Sequence, residues 1–213
     1  MKFEVKSSPL ENIKTDLLVV LLDKDVELSS TGDPTLKRLL QTLAADYTEK
    51  RVKKEYFTRW EESGIRHLLV FHSQLNSSYN LWEKIKIFAS KAMAYGNDFN
   101  LADVTFLMNG TDAATYFGKV VEGIILGSYS FEKYKKEKNL YYLAVQVNLL
   151  CNNEELPVCA EKHRHYSLIA NIINECRDTV NEPGCVVTPE VLGSLAAEIG
   201  TQYGMKVSVL DEK

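Results

Sequence analysis

Histidine and cysteine are the residue types here whose spacing could do chemistry near neutral pH. His67 and His72 bracket Leu68-Leu69-Val70-Phe71, and a separation of five puts them on opposite faces of a strand, which predicts two structural histidines rather than one joint site. Cys159 and His163 stand four apart, as two metal ligands on one helical face would, whereas His163 and His165 diverge around a helix. Two ligands do not make a zinc site. The four cysteines, Cys151, Cys159, Cys176 and Cys185, show no CxxC spacing; free, buried thiols are expected rather than a disulfide framework or a thiolate metal site. No histidine adjoins a nucleophile motif, and the 29 acidic residues are not gathered into a metal-binding cluster. The turn Met108-Asn109-Gly110-Thr111-Asp112-Ala113 sits where a strand-to-helix loop could cradle phosphate, but a single glycine is weak support. No catalytic, cofactor-binding or metal-ligating residue is therefore assigned.

Charge narrows the partners. The net charge is −4 and the sequence pI about 5.7, which argues against a dedicated nucleic-acid binder. Arg51, Lys53 and Lys54 form one basic cluster; Lys133, Lys135, Lys136 and Lys138 form another beside Tyr129, Tyr134, Tyr141 and Tyr142. Both are expected to be solvated faces. No apolar run approaches the roughly 20 residues of a membrane span, and Met1-Lys2-Phe3-Glu4-Val5-Lys6 alternates like a strand rather than a signal peptide. A cytoplasmic protein without a membrane partner is expected.

The elements that position these residues follow from periodicity. Leu17 to Leu22 is a continuous apolar run that suits a central strand covered on both faces. Asp33 as N-cap and Pro34 at the first helical position open a helix carrying Leu36, Leu39, Leu40, Leu43 and Ala44. Residues 55–60 and 67–71 read as strands joined by a turn at Glu61-Glu62-Ser63-Gly64. A helix from Leu81 to Tyr95 should stop at Gly96-Asn97-Asp98, followed by a strand over 104–108, a helix over 113–128 and a strand over 140–150. After a break at Cys151 to Glu155, residues 156–180 carry Ile169, Ile172, Ile173 and Cys176 at helical spacing; Thr188 and Pro189 launch another helix, Gly204 stops it, and Lys206 to Leu210 reads as a strand. Alternating strands and helices predict an α/β three-layer domain with a mixed sheet, ending near residue 150.

Two stretches carry a resemblance. Glu122-Gly123-Ile124-Ile125-Leu126-Gly127-Ser128-Tyr129-Ser130-Phe131-Glu132-Lys133-Tyr134-Lys135, with Arg177-Asp178-Thr179-Val180-Asn181-Glu182-Pro183 some fifty residues on, resembles the leucyl aminopeptidase family, the two-metal exopeptidases. Taken alone, Gly123 and Gly127 mean close helix packing, and Tyr129, Phe131 and Tyr134 mean aromatic anchors; their joint spacing with Glu122, Leu126 and Lys135 carries the likeness. The resemblance implies a macrodomain-like N-terminal domain over 1–150, a linker helix over 151–182 and a truncated start of a catalytic α/β domain over 183–213. It implies two divalent metal ions, zinc or manganese, in the whole enzyme, with none in this chain, because the family's Asn-Thr-Asp-Ala-Glu-Gly-Arg motif is not found here. Cys185 stands where the family usually has asparagine.

Three functions follow as expectations. The first is the non-catalytic part of such an enzyme, serving assembly and substrate access, with peptides bound only by the whole protein. The second is a stand-alone interaction protein derived from that family. The third is a ligand-binding or DNA-binding module on the same fold, since some bacterial members bind DNA. The expected partners are a second copy of the chain or the missing catalytic domain.

Overall fold

A computed structural model describes residues 1–22, 33–73, 78–108, 113–137 and 146–210. The chain folds into two compact units, Met1–Asn171 and Ile172–Lys213.

The first unit is built on a six-stranded sheet of order β1-β6-β5-β2-β4-β3, with β1 Lys2–Lys6, β2 Thr15–Leu22, β3 Tyr56–Glu62, β4 Ile65–His72, β5 Asp103–Leu107 and β6 Gln146–Leu150. All neighbours run parallel except β3, which pairs antiparallel with β4 through a tight turn. Glu61, Ser63 and Gly64 adopt positive φ in that turn, and the register shifts between Arg59 and Glu62, so this edge is twisted. The sheet is mixed, as expected.

Both faces are covered. Helices α2 (Leu81–Asp98) and α3 (Ala113–Gly127) pack on the face presenting Leu17, Val19, Leu69, Phe71 and Phe106, while α1 (Pro34–Thr48) packs on the face presenting Leu18, Val20, Leu68 and Val70. Leu17, Leu18, Val19 and Val20 are at most 2% exposed, which makes β2 the central strand the apolar run predicts. Asp33 caps α1 by accepting from the Thr35 and Leu36 amides. The first half of α4 (Leu156–Asn181) brings Cys159 and Ala170 into the α2–α3 core.

Three sequence expectations change. Gly96 does not stop α2: the helix runs through Asp98, and Gly96 lies inside it so that the backbone can approach Val104, with a Cβ at that position meeting Val104 Cγ2 at 3.3 Å. The strand over 140–150 is seen from Gln146, its earlier residues lying outside the described ones. The segment Lys206–Leu210 is not a strand. It pairs with no strand among the described residues and instead follows α5 (Pro189–Gln202), where Val207 packs on Gly200 and Val209 on Gly193. Thr188 caps α5 with Pro189 in its first turn, and Gly204 ends it at φ +66°.

Candidate functional site

The first marked stretch is a helix crossing. On α3, a Cβ at Gly123 would meet Lys86 O at 2.5 Å and Lys86 Cα at 2.8 Å, and one at Gly127 would meet Ser90 Cα at 2.7 Å. These two glycines, four apart on one face, bring α3 onto the backbone of α2. Gly118 makes room for the Tyr166 ring of α4 in the same way. Beside the crossing, Glu122 is 9% exposed and is held by Lys119 at 2.7 Å and Lys86 at 3.6 Å, so its charge is paired. Lys119 also lies over the Tyr166 ring at 5.2 Å. Past α3, Phe131 and Tyr134 pack against each other at 5.9 Å, Lys135 pairs with Glu132 at 3.0 Å, and Lys133 sits over Tyr134. Lys138, Tyr141 and Tyr142 of the same basic and aromatic cluster lie outside the described residues.

The second stretch shapes the turn that follows α4. Arg177 donates to Asn174 at 3.1 Å, the Glu182 amide donates to Thr179 O, and the Val186 and Val187 amides both donate to Pro183 O. Asp178, Thr179 and Glu182 line a cleft of about 290 Å³ with Val187, Val191, Ser194, Leu195 and Glu198. Cys185 and Cys176 are exposed, against the expectation of buried thiols; the polar turn and the outer face of α4 leave them in solvent.

The histidine and cysteine candidates are occupied by packing. His67 stacks on Phe57 at 5.6 Å and His72 on Tyr47 at 5.0 Å, on opposite faces of β4 as their spacing requires. The Tyr47 hydroxyl donates to Lys54 O at 2.8 Å, and burial, with the charge of Glu55 behind it, pushes its pKa up to about 12. Cys159 is fully buried against Cys151; burial raises both thiols, Cys159 to about 12, so neither is a ready thiolate. His163 turns its ring to Phe3 at 5.2 Å, and burial lowers its pKa. Its Nε2 is buried without a hydrogen-bond partner. His165 packs edge-on against its neighbour Tyr166. Among the described residues, no group of three or more His, Cys, Asp or Glu could hold a metal ion.

Other expectations concern anions and membranes. The Ala114 amide at the N-terminus of α3 donates to Glu155 Oε1 at 3.4 Å. A carboxylate thus occupies the helix terminus that would attract phosphate, and residues 109–112 of the expected loop lie outside the described ones. Spacing gave no sign of this contact, which spans 41 residues. Arg51 of the first basic cluster pairs with Asp46 and Glu49. No helix among the described residues is long and apolar enough to cross a membrane.

Fold and site together define an α/β domain with a mixed six-stranded sheet, in which the first marked motif serves helix packing, while the second shapes a turn of the following unit. Comparison with known proteins carries this further. No family model matches the chain. A probable cytosol aminopeptidase of Persephonella marina is 39% identical over 98 residues, 44% of this chain and 19% of that protein. Its counterpart in Clostridium perfringens is 38% identical over 96 residues, with the same two coverages, and that of Fusobacterium nucleatum is 27% identical over 198 residues, 90% of this chain and 39% of the relative. A mutant tomato leucine aminopeptidase superposes on the whole chain with a TM-score of 0.71 at 19% identity, the chain covering 45% of it. These similarities support reading the chain as a counterpart of the N-terminal domain of the leucyl aminopeptidase family. The chain spans between about a fifth and two-fifths of the length of these curated relatives.

Proposed function

We propose that this chain is the non-catalytic part of a cytoplasmic exopeptidase that removes N-terminal residues from peptides, serving its assembly and the access of substrate to a two-metal catalytic domain. The observation that carries this reading is the use made of the marked residues: Gly123 and Gly127 fit helices together, and Glu122 is paired beside them. Kinship is thereby expressed in the scaffold rather than in a reactive group. The residues present do not fit the two metal ions that the family implies. Cys151 and Cys159 resist ionisation, and His163 and His72 are committed to aromatic neighbours. We assign the metal site to no residue of this chain.

The test has two arms. The purified chain, supplied with zinc or manganese, is expected not to hydrolyse leucine p-nitroanilide; metal-dependent activity that copurifies with it, after host aminopeptidases are removed, overturns the non-catalytic reading. In the second arm the chain replaces the aligned region of the Fusobacterium nucleatum relative. The chimera is expected to cleave the small amide at a rate close to the parent's while its preference for peptide length changes. Unchanged length preference in an active chimera overturns the access role.

A further inference from the structure

We propose that His163 is an acid-sensitive latch, a conformational device in which protonation of one side chain releases the first half of α4 from the sheet. Leu156, Cys159, His163, Tyr166 and Ala170 recur at helical intervals of three and four, so they share the face of α4 that meets the first unit. Cys159 and Ala170 are fully buried. Leu156 and Tyr166 pack against the same core, and His163 lies on Phe3 of β1 with ring centroids 5.2 Å apart. Of these five side chains, only the imidazole takes up a proton under mild acid.

The Nε2 atom of His163 makes that proton costly. It is buried and has no hydrogen-bond partner. A neutral imidazole tolerates this, because one of its ring nitrogens carries no hydrogen, whereas the imidazolium carries an N–H on both. With α4 seated, the charged ring holds a buried N–H that nothing accepts; with α4 lifted, water accepts it. The lifted state therefore binds the proton more tightly, and acid shifts the population toward it.

Among the described residues, no charge is placed to offset that cost. On β1, Lys2, Glu4 and Lys6 alternate with Phe3 and Val5 onto the opposite face of the strand, where Lys6 pairs with Glu4. From β6 the same face presents Val147 and Leu149, followed by the Cys151 thiol. On α3, Lys119 is taken by Glu122 and by the Tyr166 ring. On α4 itself Glu161, Arg164 and His165 are exposed, and Lys162 donates to Ala114 O at 2.5 Å. Cys159 is a thiol held against Cys151, and Ser167, one turn on, ends in a neutral hydroxyl that is itself buried without a partner. Burial is what lowers the His163 pKa below the 6.5 of a free histidine.

A lowered folded pKa sets the direction. The latch holds fully above about pH 6.5 and weakens as the pH falls below that value. It governs the attachment of the helix through which the chain passes from Met1–Asn171 into Ile172–Lys213. All the contacts it uses lie inside the first unit, and none rests on the aminopeptidase reading.

Thiol chemistry reads the seat, since Cys159 belongs to it and Cys151 lies against Cys159, while Cys176 and Cys185 are exposed. In the full chain, 4,4′-dithiodipyridine should react with the two exposed thiols at once and with the two buried ones slowly, through opening of the seat. The ratio of slow to fast rates removes the reagent's own pH dependence. Lowering the pH from about 7.5 to about 5.0 should raise that ratio several-fold, to a ceiling of about 30-fold set by the 6.5 of an open histidine. His163→Leu, which keeps an apolar contact with Phe3, and His163→Gln should both flatten the rise, whereas His165→Leu on the exposed side of α4 should preserve it. A ratio indifferent to pH overturns the proposal. So does a rise that survives in both His163 variants, one that vanishes in His165→Leu, or one that accompanies loss of the whole helical circular dichroism, since release is then global.

Discussion

Replacing Gly123 by alanine tests whether the most recognisable stretch of this chain is there for packing. The added Cβ would stand 2.5 Å from Lys86 O, 2.8 Å from Lys86 Cα and 2.9 Å from Ala89 Cβ, against the roughly 3.5–4.0 Å of ordinary carbon–carbon packing. Two of those three atoms are main chain and cannot swing aside, so the α2–α3 crossing must open by roughly 1 Å. An opening of that size forfeits about a quarter to a half of each dispersion interaction it stretches. Such overpacking costs about 1–3 kcal/mol, and main-chain obstruction places this case near the top of the range. Alanine's better helix propensity returns about 1 kcal/mol. The expected net loss is about 2 kcal/mol, read as a lower urea midpoint at unchanged m-value and a fall in Tm of about 4–8 °C. Gly193→Ala on α5 is the control, because its Cβ would meet only the end of the Val209 side chain, at 3.3 Å. There the propensity gain should leave stability unchanged or raise it by up to about 1 kcal/mol. If Gly123→Ala is as stable as the parent, the crossing is looser than described and the packing account of the motif fails.

Leu18→Ala, at a fully buried position of β2, should cost about 2–5 kcal/mol in urea unfolding; a loss below about 1 kcal/mol would remove β2 from the centre of the core. Tyr47 has a folded pKa raised from 10.0 to about 12 by burial first and by Glu55 second. A raised folded pKa means that its contribution is complete below about pH 10 and is lost as pH rises toward 12, so stability should decline across that window. Tyr47→Phe should flatten the decline, and identical pH profiles would contradict the assignment. Cys176 and Cys185 are exposed while Cys151 and Cys159 are buried, so a maleimide should label two thiols rapidly in the native chain and four after denaturation. Four rapid thiols would refute the buried pair.

Much of the first unit was legible because its elements follow local rules. The apolar run over 17–22 has the length and bounds of a doubly covered strand, and Asp33-Pro34 has the order of a capped helix start; both formed as read. Asn80 and Glu83 form a capping box at the start of α2, a signal equally available in the Asn-x-x-Glu spacing. Gly96 misled because a glycine near the end of an apolar period has two uses, a left-handed stop or a close approach, and only the position of Val104 decides between them. Strand order was not legible, since β6 sits between β1 and β5 through pairings more than forty residues apart. Glu155 at the start of α3 was hidden for the same reason.

The second unit shows what periodicity leaves undetermined. Val191, Leu192, Leu195 and Ile199 have the spacing of a buried helical face, and the helix formed within its expected caps. Yet these side chains stay 37–48% exposed. An apolar stripe states that a surface must be covered without naming the cover, because the same residues satisfy the hydrophobic effect against any apolar partner. Lys206–Leu210 makes the same point for the backbone: its apolar alternation suits a strand, but a strand exists only where another edge meets its amides and carbonyls. Among the described residues no strand pairs with it, and Val207 and Val209 settle on the glycines of α5 instead.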